Sequence, residues 1–398
     1  MFVIIKNTEY AKQKIWGMTL LERNVRIFSQ NENISEIYIL TDRSITLRDD
    51  YYKWNKKPFT EIHNVSQIKG NGKFIFADAN LVFDERLIDN CLKKNNVFVD
   101  FANNREGMFI VSDFSYETLN FILNSNLEQL KEKYAPYKTA DMEKYILKLR
   151  RIQEPFLLYI KNRADVKFAE DLSFKRSYKG VTDIVTQYVY PPLIKRLVKL
   201  TSPTNITPNQ ITYVSMFLSF GSVPLYYYGS FALAIASGII MSILDSLDGK
   251  LARLTYRTSD SGDKLDHFSD IIYLSLWYIC IGLFLANAFP EQATTIHVWN
   301  VVLNTCYFAD RITTGLFKKI YKYELHDFNS IDRFFRRIQQ RRNITLLLLL
   351  TGYFVPGGFL SAFLFNTAWM LISFGFHLYR FIFLAVFQLV SGRPLEKR

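Results

Sequence analysis

The chain has 398 residues, a net charge of +12, 49% hydrophobic residues and 16% aromatic ones. These values exclude intrinsic disorder, a collagen-like fibre and a small disulfide scaffold. The mean hydropathy of +0.01 hides a split: residues 1–200 are rich in charge, whereas 205–390 carry several long apolar runs, so two domains are expected.

The opening MFVIIKNTEY has no basic stretch leading into an apolar one. No cleavable signal peptide is expected, and the N-terminal half is expected to stay in the cytoplasm. Phe2–Ile5 reads as a short apolar strand, and Gly17–Phe28 as an amphipathic helix with Leu20, Leu21, Val25 and Ile27 broadly on one side. Glu36–Leu40, Phe74–Phe76, Asn96–Phe101 and Met108–Val111 are further strand candidates. Strands alternating with helical patterns predict a mostly parallel sheet. Residues 127–163 are charged and helical, broken at Pro136 and Pro155, and read as closing helices and a linker. Residues 174–200 mix Lys175, Arg176, Lys179, Lys195, Arg196 and Lys199 with apolar and aromatic residues, which fits a helix lying on an anionic membrane surface. Cys91, Cys280 and Cys306 show no CxxC or zinc spacing and read as packed free thiols.

Six candidate spans follow, at roughly 209–228, 230–252, 264–287, 294–317, 343–364 and 366–389. Each approaches the ~20 residues that cross a bilayer. The fourth is the weakest, because it holds Asn300, Asn304, Asp310 and Arg311. Basic residues crowd the approach to span one, the turn after span two (Lys250, Arg253, Arg257, Lys264), the stretch 318–342 and the tail. The other loops carry almost none. All basic regions share one side only with six crossings and both termini in the cytoplasm.

The most informative stretch is DSLDGKLARLTYRTSDSGDKLDHFSD, from Asp245 to Asp270. Charge at membrane depth is costly, so acids there point to function. Asp245, Asp248 and Ala252 share one helix face, as do Gly262, Asp266 and Asp270. Two antiparallel helices meeting along these faces bring four carboxylates together. The cluster then needs cations, and oxygen ligands imply Mg²⁺, Mn²⁺ or Ca²⁺. Gly249, Ala252 and Gly262 are small where a ligand or a neighbouring helix must come close. A paired-metal carboxylate site suits phosphoryl-group chemistry, with one carboxylate spared as general base and Arg253 able to hold a phosphate.

Every fixed position of D-x2-D-G-x2-A-R-x8-G-x3-D-x3-D is present, and the stretch resembles the signature of the CDP-alcohol phosphotransferases (CDP-alcohol phosphatidyltransferases). Thr207-Pro208-Asn209-Gln210-Ile211-Thr212 is similar to the PN-x-I-T start of that family's first span. The resemblance covers roughly residues 174–390 and implies an integral membrane enzyme with six transmembrane helices. It implies that Asp245, Asp248, Asp266 and Asp270 bind two Mg²⁺ (or Mn²⁺ or Ca²⁺) ions, with Asp270 also the catalytic base. It implies that Asp248, Gly249, Ala252, Arg253 and Gly262 form the CMP and diphosphate pocket, bordered by Asn209 and Thr212. An acceptor hydroxyl then attacks a CDP-alcohol and CMP leaves. Homodimers are common among such relatives. Arg311 and Arg380 are candidates for an acceptor phosphate, with interface snorkelling or an internal ion pair as the alternative. His377 reads as a hydrogen-bonded packing residue.

Residues 1–139 resemble nucleotidyltransferase domains more faintly. GMTLLERNVRIF is similar to their G-x-P-L-L-E-R helix, and ADANLVFD around Asp78 to their strand-end metal carboxylate. Such a domain occurs fused to a CDP-alcohol phosphotransferase in bifunctional enzymes that make CDP-inositol and then di-inositol phosphate phosphate. This chain departs from that pattern after the first strand: Ile5 is followed by KNTEYAKQKIW, with no glycine before Gly17 to build a triphosphate cradle. A structural or regulatory domain is therefore expected. Cytidylyl transfer is the alternative, with Lys6, Lys14 and Asp78 the first suspects.

The expected architecture is multidomain. Residues 1–139 form an α/β nucleotidyltransferase-like domain, 140–200 a helical linker and juxtamembrane amphipathic helix, and 201–390 an all-α membrane domain of six transmembrane helices. The expected partners are a lipid bilayer, a CDP-alcohol donor and an alcohol acceptor. The basic charge follows cytoplasmic loops, so no nucleic acid is implied. A transporter would share the intramembrane acids but not their interleaved Gly, Ala and Arg. A prenyl-chain enzyme would carry a compact DDxxD, which is absent. A scaffold would not need the intact acid set.

Overall fold

The computed structural model describes residues 1–48, 54, 57–100, 107–146, 149, 151–258 and 260–391, without the side chains of 100, 260–268, 327 and 391. The chain forms two compact units. One joins Met1–Tyr178 with Val198–Asn205 and Lys250–Thr258; the other joins Lys179–Leu197 with Ile206–Gly249 and Ser259–Arg398.

The first unit is built on a seven-stranded sheet. Its strands are β1 (Phe2–Lys6), β2 (Glu36–Leu40), β3 (Thr60–Ile62), β4 (Lys73–Asp78), β5 (Val97–Asp100), β6 (Phe109–Asp113) and β7 (Ala135–Lys138). They run in the order β7-β5-β6-β4-β1-β2-β3. All neighbours are parallel except β6, which is antiparallel to both β4 and β5. The sheet is thus mostly parallel, as the alternation of elements predicts. Central β1 reads FVIIK, and Phe2, Val3, Ile4 and Ile5 are all buried. A strand covered on both faces needs such an unbroken apolar run. Register places Lys6 beside Asp78 at the ends of β1 and β4.

Helix α1 (Leu20–Gln30) starts where Thr19 caps the Glu22 amide, just after Gly17 turns at a φ of +76°. Val25 and Phe28 enter the core, with Phe28 meeting Phe83 and Phe109. Burying a phenylalanine is worth ~2–3 kcal/mol. The helix is amphipathic as expected, but its polar face does not meet water: every residue from Leu20 to Ser29 is buried. Its polar face carries Glu22, Arg23, Asn24 and Arg26, each buried against other chain segments. The unit continues with α2 (Arg86–Leu92), α3 (Tyr116–Asn124), α4 (Leu127–Lys133) and α5 (Arg163–Arg176). Helix α6 (Tyr190–Thr201) follows a π turn at Val185–Val189 and exposes Leu193 and Leu200.

The second unit is helical. It contains α7 (Pro208–Tyr227), α8 (Phe231–Thr255, up to Gly249), α9 (Asp260–Ala288), α10 (Ala293–Tyr321), α11 (Ser330–Ile338), α12 (Arg342–Tyr353) and α13 (Gly358–Ser391). The Thr207-Pro208-Asn209-Gln210 motif acts as a helix start: Thr207 and Gln210 form a capping box and Pro208 fills the first turn. Ser215, Ser219 and Ser222 make a small buried stripe on α7, and Trp277 of α9 donates its indole N–H to the Ser219 carbonyl at 2.9 Å. Close helix approach in membranes favours such small residues. At Gly282 a Cβ would fall 2.1 Å from Asn300 Nδ2, so glycine there lets α9 and α10 touch.

Among the described residues three helices are long and apolar enough to cross a membrane: Phe231–Thr255, Ser269–Ala288 and Gly358–Val390. The break between the last two helices falls at residues 354–357, not near Phe365 as the apolar run alone indicates. Pro356 lacks an amide donor and Gly357 has a φ of +67°, so the chain turns there. Helix α12 consequently has only 12 residues, ~18 Å at 1.5 Å each.

Candidate active site

Asp245 and Asp248 lie one turn apart on α8, and Asp270 lies on α9. Thr212 of α7 donates its hydroxyl to Asp248 Oδ2 at 2.5 Å, with both residues buried. A predicted pocket residue and a predicted metal ligand are thus brought together. Asn209 sits in the first turn of α7, one turn before Thr212.

Arg342, the first residue of α12, joins the two acidic helices. Its Nη2 donates to Asp245 Oδ2 at 2.5 Å and its Nη1 to Asp270 Oδ1 at 3.1 Å. Tyr273, one turn beyond Asp270, donates its hydroxyl to Asp270 Oδ1 at 2.7 Å and accepts from Arg342 Nη1 at 2.8 Å. Neighbouring carboxylates repel, and the guanidinium between them offsets that repulsion. Asn343 fixes the start of α12. Its Nδ2 reaches Asp183 Oδ1 at 2.9 Å and Thr186 Oγ1 at 3.0 Å, while Ser242 of α8 donates to its Oδ1.

Sequence reasoning missed Arg342, Tyr273 and Asn343 as site residues. Arg342 was visible as one of two arginines opening an apolar run, but there it counted only as loop charge. Its role depends on acids supplied by two other helices.

The described donors are all oxygen: Asp245, Asp248, Asp270 and the Thr212 hydroxyl. This chemistry fits a hard divalent cation rather than zinc. A cation from the chain itself already stands between two of these carboxylates, so the pair is arranged to receive positive charge. Among the described residues no three metal-ligating side chains stand close enough to enclose an ion. Asp266 and Gly262 belong to the part of α9 whose side chains lie outside the described residues.

The remaining predicted residues are dispersed. Gly249 and Ala252 continue along α8. Arg253, within the first unit, donates Nε to the Ser177 carbonyl at 2.9 Å. Arg311 of α10 lies 5.2 Å over the Tyr307 ring, and the Tyr307 hydroxyl donates to the Asp270 carbonyl at 3.2 Å. Arg380 of α13 is buried in a two-bond pair with Asp332 of α11, at 2.6 and 2.7 Å. His377 is fully buried between Asp310 and Gln339.

In the first unit, Asp78 ends β4 and accepts the Met108 amide at 2.8 Å. Burial pushes its carboxyl up to about 6, against smaller lowering by the Met108 hydrogen bond and the Lys6 charge. The folded state therefore binds this proton more tightly than the unfolded state. The contribution of this group to stability is fullest below pH ~4 and is lost as pH rises through about 6, ~3 kcal/mol in all. Asp78→Asn is expected to raise the melting temperature at pH 7.5 and to flatten its dependence between pH 4.5 and 7.5. Thermal unfolding at both pH values checks this, and an unchanged pH dependence in the variant would remove Asp78 as its source.

Residues 205–374 match the family model described as CDP-alcohol phosphatidyltransferase. The C-terminal part of this chain thus carries a match to the CDP-alcohol phosphatidyltransferase family model. Asp245, Asp248, Asp270, Thr212 and Arg342 all fall within the matched range, whereas Arg380 lies beyond it. The chain is 37% identical over 73 residues to a CDP-diacylglycerol–serine O-phosphatidyltransferase of Helicobacter pylori, covering 18% of this chain and 30% of that one. A longer similarity joins both units to a bifunctional IPC transferase and DIPP synthase of Archaeoglobus fulgidus: 21% identity over 324 residues, 71% of this chain and 63% of that one. The chain thus spans less than two thirds of the length of these relatives. Among solved structures, a phosphatidylinositol phosphate synthase of Mycobacterium tuberculosis with CDP-DAG bound aligns with a TM-score of 0.37 and 16% identity, over 50% of this chain and 93% of that one.

Proposed function

We propose that the chain is a multi-pass integral membrane CDP-alcohol phosphotransferase. It transfers a substituted phosphate group from a CDP-alcohol to an acceptor hydroxyl and releases CMP. One observation carries this reading: within the family-matched segment, Asp245 and Asp270 converge from two helices on a single cation, Arg342.

In this reading Asp245, Asp248, Asp266 and Asp270 hold two Mg²⁺ ions, or Mn²⁺ or Ca²⁺. Held by these carboxylates, such ions would supply positive charge against the donor diphosphate and the departing CMP. The chain's own groups do the rest. Thr212 orients Asp248 through its hydroxyl. Tyr273 holds one oxygen of Asp270, and Asp270 takes the proton of the acceptor hydroxyl. That hydroxyl oxygen attacks the phosphorus nearer the donor's alcohol, the bond from this phosphorus to the CMP oxygen breaks, and CMP leaves with the electron pair. Asn209, Thr212, Gly249 and Gly262 are assigned to the nucleotide pocket, and Ala252 and Arg253 are added to it on the resemblance alone. Arg311, close to Tyr307 and so to the Asp270 backbone, is assigned to the acceptor side. Arg380 is assigned to the helix bundle, where Asp332 already satisfies it.

We assign six crossings to α7, α8, α9, α10, the stretch of α12 with the turn that follows it, and α13, with α6 as a juxtamembrane surface helix and both termini cytoplasmic; α12 alone, at ~18 Å, reaches only part of the way. The basic loops support this orientation. The N-terminal unit is read as nucleotidyltransferase-like and without cytidylyl transfer. Its Asp78 is occupied by the Met108 amide, and no glycine lies between β1 and Gly17. A homodimer is proposed on the resemblance alone.

The test is CMP release by the purified full chain in detergent with Mg²⁺. CDP-diacylglycerol, CDP-inositol and CDP-glycerol are each offered with a panel of alcohols. CMP that requires donor, acceptor and metal is expected. Absence of both CMP release and metal-dependent CMP binding would overturn the reading in favour of a transporter. An arm with CTP and inositol phosphate tests the bifunctional reading, favoured by the similarity over 71% of the chain, through pyrophosphate release.

A further inference from the structure

The helix that resembles a nucleotidyltransferase motif, α1, puts its polar face to a use that neither the motif nor the transfer chemistry explains. Arg23, Arg26 and Gln30 follow one another at three and four residues and share that face. All three reach the short segment that ends α8, which belongs to the same compact unit. Arg23 Nη2 donates to the Tyr256 hydroxyl at 2.8 Å, and its guanidinium lies 5.2 Å over the Tyr256 ring. Gln30 Nε2 donates to the Tyr256 carbonyl at 2.7 Å. Arg26, locked by a buried pair with Glu22 at 2.6 Å, reaches the Thr255 carbonyl at 3.5 Å.

Thr255 and Tyr256 carry carbonyls that a helix end leaves without intrahelical partners. Here α1 supplies the donors, and the Arg26 charge suits the negative end of the helix dipole. Tyr256 is held at a φ of +54°, a left-handed conformation unfavourable for an aromatic residue and kept only where the surroundings impose it. Two further contacts fix the turn just before it. Arg253 Nε meets the Ser177 carbonyl at 2.9 Å, and Lys250 lies 3.5 Å over the Tyr178 ring.

We propose that helix α1 is a positioning element for the end of α8: it holds the segment Leu254–Arg257 and with it fixes Arg253. Arg23, Gln30 and Tyr256 are positioning residues: they act through Arg253, which the proposed function puts in the CMP pocket, and the inference rests on that reading.

The experiment compares the full chain with Arg23→Met/Gln30→Met, with Arg23→Lys and with Tyr256→Phe, which removes a single hydroxyl. Three quantities are read: amide hydrogen exchange over residues 252–258, equilibrium binding of CMP with Mg²⁺, and thermal unfolding. In the double variant, exchange in that segment is expected to rise about tenfold and CMP affinity to fall about fivefold, as a locally loosened site predicts. Arg23→Lys should recover part of the loss, and Tyr256→Phe should cost about twofold. Faster exchange with CMP affinity equal to wild type would overturn the inference, leaving α1 as packing only. The Tyr256→Phe comparison decides the matter if the double variant fails to fold. Wild-type protein that binds no CMP at all would overturn the proposed function and this inference together, and so separates the two failures.

Discussion

Asp270→Asn is expected to lower CMP release by about three orders of magnitude while changing metal-dependent CMP binding by less than about threefold. The asymmetry follows from the proposed role. A base acts mainly in the transition state, and the amide that replaces the carboxylate cannot take a proton. The local fold should survive, because an asparagine oxygen can still accept from Tyr273 and Arg342. Asp245→Asn serves as the contrast, since a residue proposed as a metal ligand should lose binding as well as turnover. Turnover at the wild-type level in Asp270→Asn would remove Asp270 as the base. Equal loss of binding in both variants would give the two acids the same role.

The second large effect belongs to Arg342→Gln. In the structure this guanidinium bridges Asp245 and Asp270, and its side chain is 16% exposed. Removing one partner of a fully buried ionic group typically costs about 3–5 kcal/mol, because the remaining charges stay behind without compensation, and this part-buried bridge should lose a fraction of that. In EDTA the variant is therefore expected to melt below the wild type. Millimolar Mg²⁺ should close most of the gap, because an ion that binds only the folded protein stabilises it by mass action. Thermal unfolding with and without Mg²⁺ reads both quantities. A gap that Mg²⁺ leaves unchanged would show that these carboxylates do not take the ion. This measurement needs no substrate and so stands apart from the turnover assays.

The acids themselves were legible because their information is local. Spacings of three and four residues put side chains on one helix face whatever the rest of the fold does, so Asp245 with Asp248 and Asp266 with Asp270 could be grouped from the sequence. The capping motif at Thr207–Gln210 is also local, and it starts α7 as its residues require. The β-rich runs at Phe2–Ile5 and Glu36–Leu40 became adjacent parallel strands. The misplaced break between α12 and α13 had a signal of its own in Pro356-Gly357, which the length of the apolar run outweighed in the reading.

Other features were not local, and the sequence could not supply them. Helix α1 has apolar residues on one side, which ordinarily leaves the other side to water, yet Glu22, Arg23 and Arg26 are buried. Glu22 pairs with Arg26 within the helix, but Arg23 and Arg26 also reach residues 83 and 255–256, far along the chain, which nothing in an eleven-residue pattern reports. The same holds for Arg380, whose charge is met by Asp332 on another helix.

By itself the sequence determined the elements of this protein: a mostly parallel α/β region, a helical region with apolar spans, and an acidic signature whose spacing fixes its helix faces. Backbone periodicity and short-range hydrogen bonding dictate these, and both act within a few residues. Only the tertiary structure decided which partner each charge meets, namely Asp245 and Asp270 for Arg342, and the Tyr256 hydroxyl for Arg23. A buried charge is tolerated only where a partner sits within a few ångströms, and that distance is set by the packing of helices remote in sequence.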